Sequence, residues 1–312
     1  MKALVYKSTG SWYIVKTIDQ GNEPRTYNAR MKGVFKIDDI TSTNPVAVGD
    51  EVEIEMENEG EGSVTITRIL DRHNYINRQS PRFAHQHHII ASNLDQSMLV
   101  ATLKEPKTSQ GFIDRFLVAS EMYHVPPMIV FNKADLYKKK EQDRFEQWKG
   151  MYENIGYRVF LVSVKDNEGL RPLESELVGK TTLISGHSGV GKSSLLNVIL
   201  PELTLKTQGV SGWSGKGQHT TTFAEMYDLP GGGRIIDTPG MREFGLVDLE
   251  KQEVSHYYPE MRSRLNECQF NNCLHVDEPD CAVKDAVEAG EISADRYVSY
   301  INILGSIEEK SY

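Results

Sequence analysis

The chain has 312 residues, a formal net charge of −9, 39% hydrophobic and 25% charged residues. That length carries two or three domains with separate cores, and that balance belongs to an ordinary soluble globular protein rather than a disordered or fibrous one. No apolar run approaches the roughly 18 residues of a membrane-spanning helix, and the N-terminus lacks the apolar core of a signal peptide. All three cysteines fall between Cys268 and Cys281, which argues against a disulfide framework and suggests a shared local role. A cytoplasmic location is expected.

Residues 1–72 read as all-β. Short candidate strands at Ser11–Val15, Tyr27–Met31 and Gly33–Phe35 precede Glu51–Glu57. This last run alternates strictly, which predicts Val52, Ile54 and Met56 inward and the glutamates in water. Val64–Leu70 returns after a Gly/Glu turn. Several short strands in so few residues predict a small barrel of the oligonucleotide-binding type, with some other small β-barrel as the alternative. Met1–Lys7 shows only a short apolar patch. From Arg72 to His88 the chain holds Arg72, Arg78, Arg82 and four histidines without an acid, a connector that suits either phosphate contact or plain solvation. The charge is otherwise uneven: residues 1–90 carry 11 Lys/Arg against 12 Asp/Glu, residues 91–245 carry 18 against 18, and residues 246–312 carry 6 against 14.

From about residue 95 the pattern turns α/β. Met98–Leu103, Pro126–Phe131, Arg158–Val164 and Leu183–Ser185 are expected as buried strands. Helices between them carry Phe112, Phe116, Leu117 and Ser120, then Phe145, Trp148, Met151 and Tyr152, at helical spacing. Residues 202–222 are polar and glycine-rich without periodicity, a long functional loop. A hairpin runs from Phe223 to Ile236 across Pro230–Gly233. Residues 246–312 read as mainly helical.

Three strand ends carry nucleotide chemistry. Gly186-His187-Ser188-Gly189-Val190-Gly191-Lys192-Ser193 is G-x-x-x-x-G-K-S between an apolar strand and a helix, and Ser194 continues the turn. The glycines let successive N–H groups converge on phosphates, and the helix N-terminus adds its positive dipole end. Lys192 supplies charge to the outer phosphates and the Ser193 hydroxyl is placed for Mg²⁺. Asn132-Lys133-Ala134-Asp135 is the N-K-x-D of guanine recognition. The Asp135 carboxylate can accept from both the ring N1–H and the exocyclic amine, whereas adenine would leave it unpaired. Ser163 and Val164, after the next strand, can add backbone contacts to the base. Asp237-Thr238-Pro239-Gly240 is D-x-x-G. Asp237 can hold Mg²⁺ through water, and the Gly240 N–H can bond the γ-phosphate and release with it. Within Thr220–Thr222, Thr221 is our choice for a second hydroxyl ligand to Mg²⁺, with a register uncertainty of one residue.

Ordinary GTPases place the last base-recognition motifs after D-x-x-G; here N-K-x-D and the Ser163 motif come first. In this order, in the barrel, in Gly215–Thr222 and in the terminal Cys/His cluster, the chain resembles the circularly permuted GTPases of the ribosome small-subunit-dependent GTPase A family, over nearly its whole length. The resemblance implies an assembly factor that binds GTP and GDP, meets the small (30S) ribosomal subunit and its rRNA late in maturation, and hydrolyses GTP when stimulated there; a monomer is expected. Met241 stands where many GTPases keep a water-orienting Gln, so slow intrinsic hydrolysis is expected. The resemblance points to His219 as the substitute. Because Met241 leads straight into residues 246–312, loss of the γ-phosphate is expected to reach that region.

Cys268-x₄-Cys273-x-His275-x₅-Cys281 uses every cysteine in the chain. Three thiolates and an imidazole suit tetrahedral, structural Zn²⁺, one per chain; a free-thiol or redox arrangement is the alternative. The expected fold is multidomain: an OB-type barrel over residues 1–72, a central α/β circularly permuted P-loop GTPase domain over 73–245, and a mainly helical zinc-binding domain over 246–312. Two other functions stay open, a nucleic-acid-binding zinc module with a purely regulatory nucleotide site and a GTP-consuming biosynthetic enzyme.

Overall fold

The computed structural model describes residues 1–18, 23–31, 45–57, 63–79, 87–201, 224–238, 246 and 249–307. Five strands close the N-terminal barrel: β1 (Lys2–Ser8), β2 (Tyr13–Thr17), β3 (Thr26–Met31), β4 (Glu51–Met56) and β5 (Ser63–Ile69). They pair in the order β1-β2-β3-β5-β4 and back to β1, with β3 and β5 parallel and the other neighbours antiparallel. Ala3, Val5, Val15, Val52, Ile54, Val64 and Ile66 fill the interior. Met56, expected inward, is 46% exposed at the last position of β4. Alternation sets which side a residue faces, not how far the core extends along the strand.

β1 was not foreseen as a strand. Its Ala3 and Val5 face the barrel core, while Leu4 packs into the main core of the next domain. Burial on both faces replaces alternation with a short apolar run. β1 also pairs with β12 (Glu225–Asp228) at Lys7↔Glu225, so barrel and central sheet form one continuous eleven-stranded ladder. The Lys7 Nζ–Glu225 Oε2 contact at 2.9 Å lies across this joint.

Part of the Arg72–His88 connector forms strands. β6 (Tyr75–Gln79) pairs antiparallel with β7 (His87–Ser92), with Ile76 and Ala91 fully buried. Arg72 is not free for phosphate. Its Nε and Nη2 each donate at 2.6 Å to the buried Asp50, which also accepts from Ser92 Oγ at 2.5 Å. Arg82 and His85 lie outside the described residues.

The central domain orders its strands β10-β9-β8-β11-β13-β12. These are β8 (Gln96–Ala101), β9 (Pro127–Phe131), β10 (Arg158–Leu161), β11 (Thr181–Ser185) and β13 (Arg234–Asp237), all parallel, plus antiparallel β12. Helices α1 (Gln110–Met122), α2 (Lys139–Asn154), α3 (Leu170–Leu177) and α4 (Lys192–Ile199) cover the sheet. α1 and α2 bury Phe116, Leu117, Phe145, Trp148 and Tyr152 in one core; α3 and α4 bury Leu173, Leu177, Leu195 and Leu196 in the other. Each such side chain contributes about 1.5–3 kcal/mol of transfer free energy. Ser109 caps α1 by accepting from Phe112 N–H at 3.2 Å.

The C-terminal unit is helical: a 3₁₀ turn (Lys251–Tyr257), α5 (Pro259–Arg262), α6 (Ala282–Glu288) and α7 (Ala294–Ser306). Its core takes in Val118 from α1. One helix therefore serves two domains, with Phe116 and Leu117 toward the central core and Val118 toward the C-terminal one.

Candidate guanine-nucleotide site and metal cluster

In a parallel sheet the loops after the strands gather along one edge, where ligands bind. The loops after β8, β9, β10 and β11 meet there, beside Asp237 at the end of β13, and they bring together motifs that sequence places far apart. The glycine-rich turn follows β11. Gly186 has φ +143°, and a Cβ on it would lie 2.3 Å from Val100 O; Gly191 has φ +95°, and its Cβ would lie 2.4 Å from Asn132 Nδ2. Both positions therefore require glycine, and the second one requires it because the base-recognition motif presses against the turn.

Asn132, 2% exposed, joins the two motifs. Its Nδ2 donates to Val190 O at 2.9 Å, and its Oδ1 accepts from Val164 N–H at 3.4 Å. Asn132 thus holds three loops together. Lys133 adopts a left-handed backbone (φ 62°) and sends Nζ to Glu105 O at 2.5 Å. Asp135 faces Ser163 Oγ at 3.1 Å and Lys165 Nζ at 3.6 Å, with its carboxylate 10% exposed. Ser163, fully buried, also accepts from Asp166 N–H at 3.2 Å.

Lys192 folds back onto the turn, with Nζ donating to Gly186 O and, at 3.3 Å, to His187 O. Burial lowers its pKa against the opposing pull of Asp237. Asp237, at the end of β13, is raised by burial, which outweighs the Lys192 charge. An ammonium and a carboxylate that are both poorly solvated, beside a phosphate-shaped turn, suit a ligand bringing several negative charges and a divalent cation. Ser193 and Ser194 begin α4 and are half-buried. Thr221, His219 and Gly240 lie outside the described residues, as does the path from Met241 to the C-terminal unit up to Gly245.

One wall of the site escaped sequence reading, the loop from Thr102 to Ser109. Pro106 lies 3.4 Å from where a Gly189 Cβ would stand. Thr108 Oγ1 is 2.7 Å from His187 Nε2. Tyr137 OH donates to Asn132 O at 2.8 Å and accepts from Leu103 N–H at 3.0 Å. The one sequence signal was Thr108-Ser109 ahead of an apolar helix, which marks a helix start and nothing more.

The cysteine cluster closes as expected. The ligand atoms of Cys268, Cys273, His275 and Cys281 lie within 4.8 Å of one another. His275 Nδ1 is 3.3 Å from Cys281 Sγ and 3.7 Å from Cys268 Sγ. A tetrahedral ion with bonds of about 2.3 Å to sulfur and about 2.0 Å to nitrogen spaces its ligands on the order of 3.5–3.8 Å apart. The set is therefore a slightly open form of such a shell, and Nδ1 is the nitrogen turned to the sulfurs. Burial, with the neighbouring Cys281, pushes the Cys273 thiol up to about 12. Three thiolates stay together here only around a cation, and the donors suit a soft or borderline one. Tyr297 OH and Tyr300 OH fix the loop by donating to His275 O at 2.6 Å and Leu274 O at 2.7 Å.

Known proteins match the chain along nearly its whole length. The family model of the RsgA GTPase matches residues 69–247, and that of the RsgA N-terminal domain matches residues 2–64. Two relatives carry the name small ribosomal subunit biogenesis GTPase RsgA. That of Flavobacterium psychrophilum is 50% identical over 99% of this chain and 94% of its own. That of Phocaeicola vulgatus is 49% identical over 100% and 99%. Among solved structures, YjeQ from Thermotoga maritima superposes with a TM-score of 0.80 at 32% identity, covering 99% of each chain. YloQ, described as a circularly permuted GTPase, gives 0.76 at 30% identity, covering 100% of this chain and 96% of its own. The chain thus shares its fold with a circularly permuted GTPase over nearly its whole length, and it belongs to the RsgA GTPase family of GTP hydrolases.

Proposed function

We propose that this GTPase works in the biogenesis of the small ribosomal subunit: it binds the 30S particle and its rRNA in the GTP form and hydrolyses GTP when the particle stimulates it. The supporting observation is that relatives named for this task match the chain over nearly its whole length, barrel and cysteine cluster included. A monomer in the cytoplasm suits such a task.

In this reading Asp135 reads the two donor groups of guanine, with Asn132 and Lys133 holding its loop and Ser163 and Val164 flanking the base. The backbone N–H groups from Gly186 to Ser194 cradle the phosphates. Lys192 leaves the carbonyls of Gly186 and His187 for the outer phosphates. Ser193 and Thr221 supply hydroxyl ligands to Mg²⁺, with Asp237 behind water and Gly240 at the γ-phosphate. Bound there, Mg²⁺ would supply positive charge against the phosphate oxygens. His219 orients the attacking water. Cys268, Cys273, His275 and Cys281 hold one structural zinc, whose thiolate and imidazole ligands match its preference.

The test is GTP turnover titrated with purified small subunits. Turnover rising with subunit concentration to a plateau supports the proposal; turnover as slow with subunits as without them would reject stimulation. Single-turnover measurement separates the hydrolytic step from product release and distinguishes this reading from a purely regulatory nucleotide site.

A further inference from the structure

We propose that Thr108 is a positioning residue for nucleotide binding, acting through His187 to hold the phosphate loop in its binding-competent shape. The inference rests on reading Gly186–Ser194 as the phosphate loop. It extends that reading to the Thr102–Ser109 loop, which carries none of the nucleotide motifs.

The hydrogen bonds fix the roles. His187 Nδ1 lies 3.2 Å from Ser188 O, and a carbonyl can only accept, so Nδ1 carries the proton. In the neutral ring Nε2 is then an acceptor, and the Thr108 hydroxyl at 2.7 Å donates to it. The same hydroxyl oxygen accepts from Thr102 N–H at 3.0 Å, and Thr108 N–H donates to Thr102 O at 2.7 Å. Thr108 is 1% exposed, and among the described residues these are the groups that satisfy it. It is anchored at the root of α1, one residue before the Ser109 cap.

His187 is held on its other side by Phe112, the rings meeting edge to face at 5.5 Å. Its position sets that of its own carbonyl, which receives Lys192 Nζ at 3.3 Å. A chain of contacts therefore runs from the rigid start of α1 through one hydroxyl and one imidazole to the residue that meets the phosphates. The left-handed glycines on either side give the turn freedom to take other shapes. Fixing His187 removes that freedom before the ligand arrives, and a site competent only part of the time binds more weakly by that fraction.

The experiment measures affinity for a fluorescent GDP analogue and steady-state GTP hydrolysis in the full-length protein. In T108V the Kd and the KM for GTP rise about tenfold, the size of one well-placed hydrogen bond, while kcat at saturating GTP holds. T108S, which keeps the hydroxyl, returns both to wild-type values. H187F keeps a ring against Phe112 but offers no acceptor, and its Kd and KM rise as well; T108V/H187F adds nothing to the T108V rise, because T108V, which also takes the acceptor from Thr102 N–H, has already removed the bond that H187F deletes. Wild-type KM and Kd in T108V, or in H187F should T108V not fold, overturn the proposal, and so does additivity in the double variant. Failure of the wild-type protein to bind the GDP analogue would instead sink the phosphate-loop reading beneath it.

Discussion

Arg296 is where the C-terminal unit is fastened to the GTPase domain, and its loss should be costly. The guanidinium is 1% exposed. Nη1 donates to Asp114 Oδ1 of α1 at 2.7 Å, and Nε and Nη2 donate to Glu260 of α5 at 2.7 and 3.2 Å. The Tyr258 ring lies 4.4 Å beneath it. Asp114 is fully buried and also accepts from Tyr152 OH at 2.8 Å. Arg296→Met keeps most of the volume but strands two buried carboxylates without a cation. Breaking one buried pair costs about 3–5 kcal/mol, and two stranded acids place this variant near the upper end. For a unit of this size that corresponds to a drop of roughly 10 °C or more in melting temperature. The loss should fall on the joint, so amide exchange in residues 294–306 should rise well before exchange in β8 and β9. Restoring an apolar set with Asp114→Leu and Glu260→Leu beside Arg296→Met should recover much of the loss, because the stranded charges are gone. An Arg296→Met protein that melts with the wild type, with α7 equally protected, would refute the claim that this cluster fastens the two units.

Three further outcomes follow from the geometry. Gly191→Ala should weaken binding of a fluorescent GDP analogue roughly ten- to hundredfold, because the new Cβ meets Asn132 Nδ2 and φ is positive, a strain of about 1–3 kcal/mol; unchanged affinity would show that the two motifs are not pressed together. Purified protein should contain one zinc per chain by elemental analysis, and Cys273→Ser should lose it together with exchange protection in residues 249–307, while zinc retained in that variant would remove Cys273 from the shell. His187 should make the nucleotide-free protein pH-sensitive: burial, reinforced by the Lys192 charge, lowers its pKa below the ordinary 6.5, so its contribution is complete above that value and is lost as pH falls through the depressed one. The melting-temperature difference between wild type and His187→Phe should therefore shrink as pH falls below the ordinary imidazole value, and a constant difference would contradict the assigned neutral ring.

The parts legible in sequence are those where chemistry dictates spacing. A phosphate turn needs its glycines and lysine at fixed offsets, and a metal needs four donors within a short loop, so candidates for both stand out residue by residue, and the structure sets Gly191 against Asn132 and gathers Cys268, Cys273, His275 and Cys281. The strands β4 and β5 were legible because one face is wet. β1 was not, because both faces are covered and the alternation vanishes. Thr108 and Arg296 were invisible for a different reason. A threonine before a helix and an arginine within one are ordinary, and their meaning comes from partners 79 and 182 residues away. In the basic stretch from Arg72 to His88, composition could not show that Arg72 has its carboxylate in Asp50, 22 residues earlier.

The permuted order also explains why the site could be read at all. Each motif is a loop at the carboxyl end of one parallel strand, and the strands lie side by side as β10-β9-β8-β11-β13. Such a site depends on which strands are neighbours, not on the order in which the chain visits them. Asn132 reaches Val190 across 58 residues of chain, yet the two loops sit within one hydrogen bond of 2.9 Å. Permutation leaves that bond in place and changes only what is attached at the ends. The N-terminal barrel enters through β1 at the sheet's far edge, and the C-terminal unit packs on α1, whose root holds Thr108 against the phosphate loop. α1 therefore links the phosphate loop to the C-terminal core within 13 residues: Thr108 ahead of its cap and Phe112 in its first turn meet His187, while Asp114 and Val118 meet the C-terminal unit.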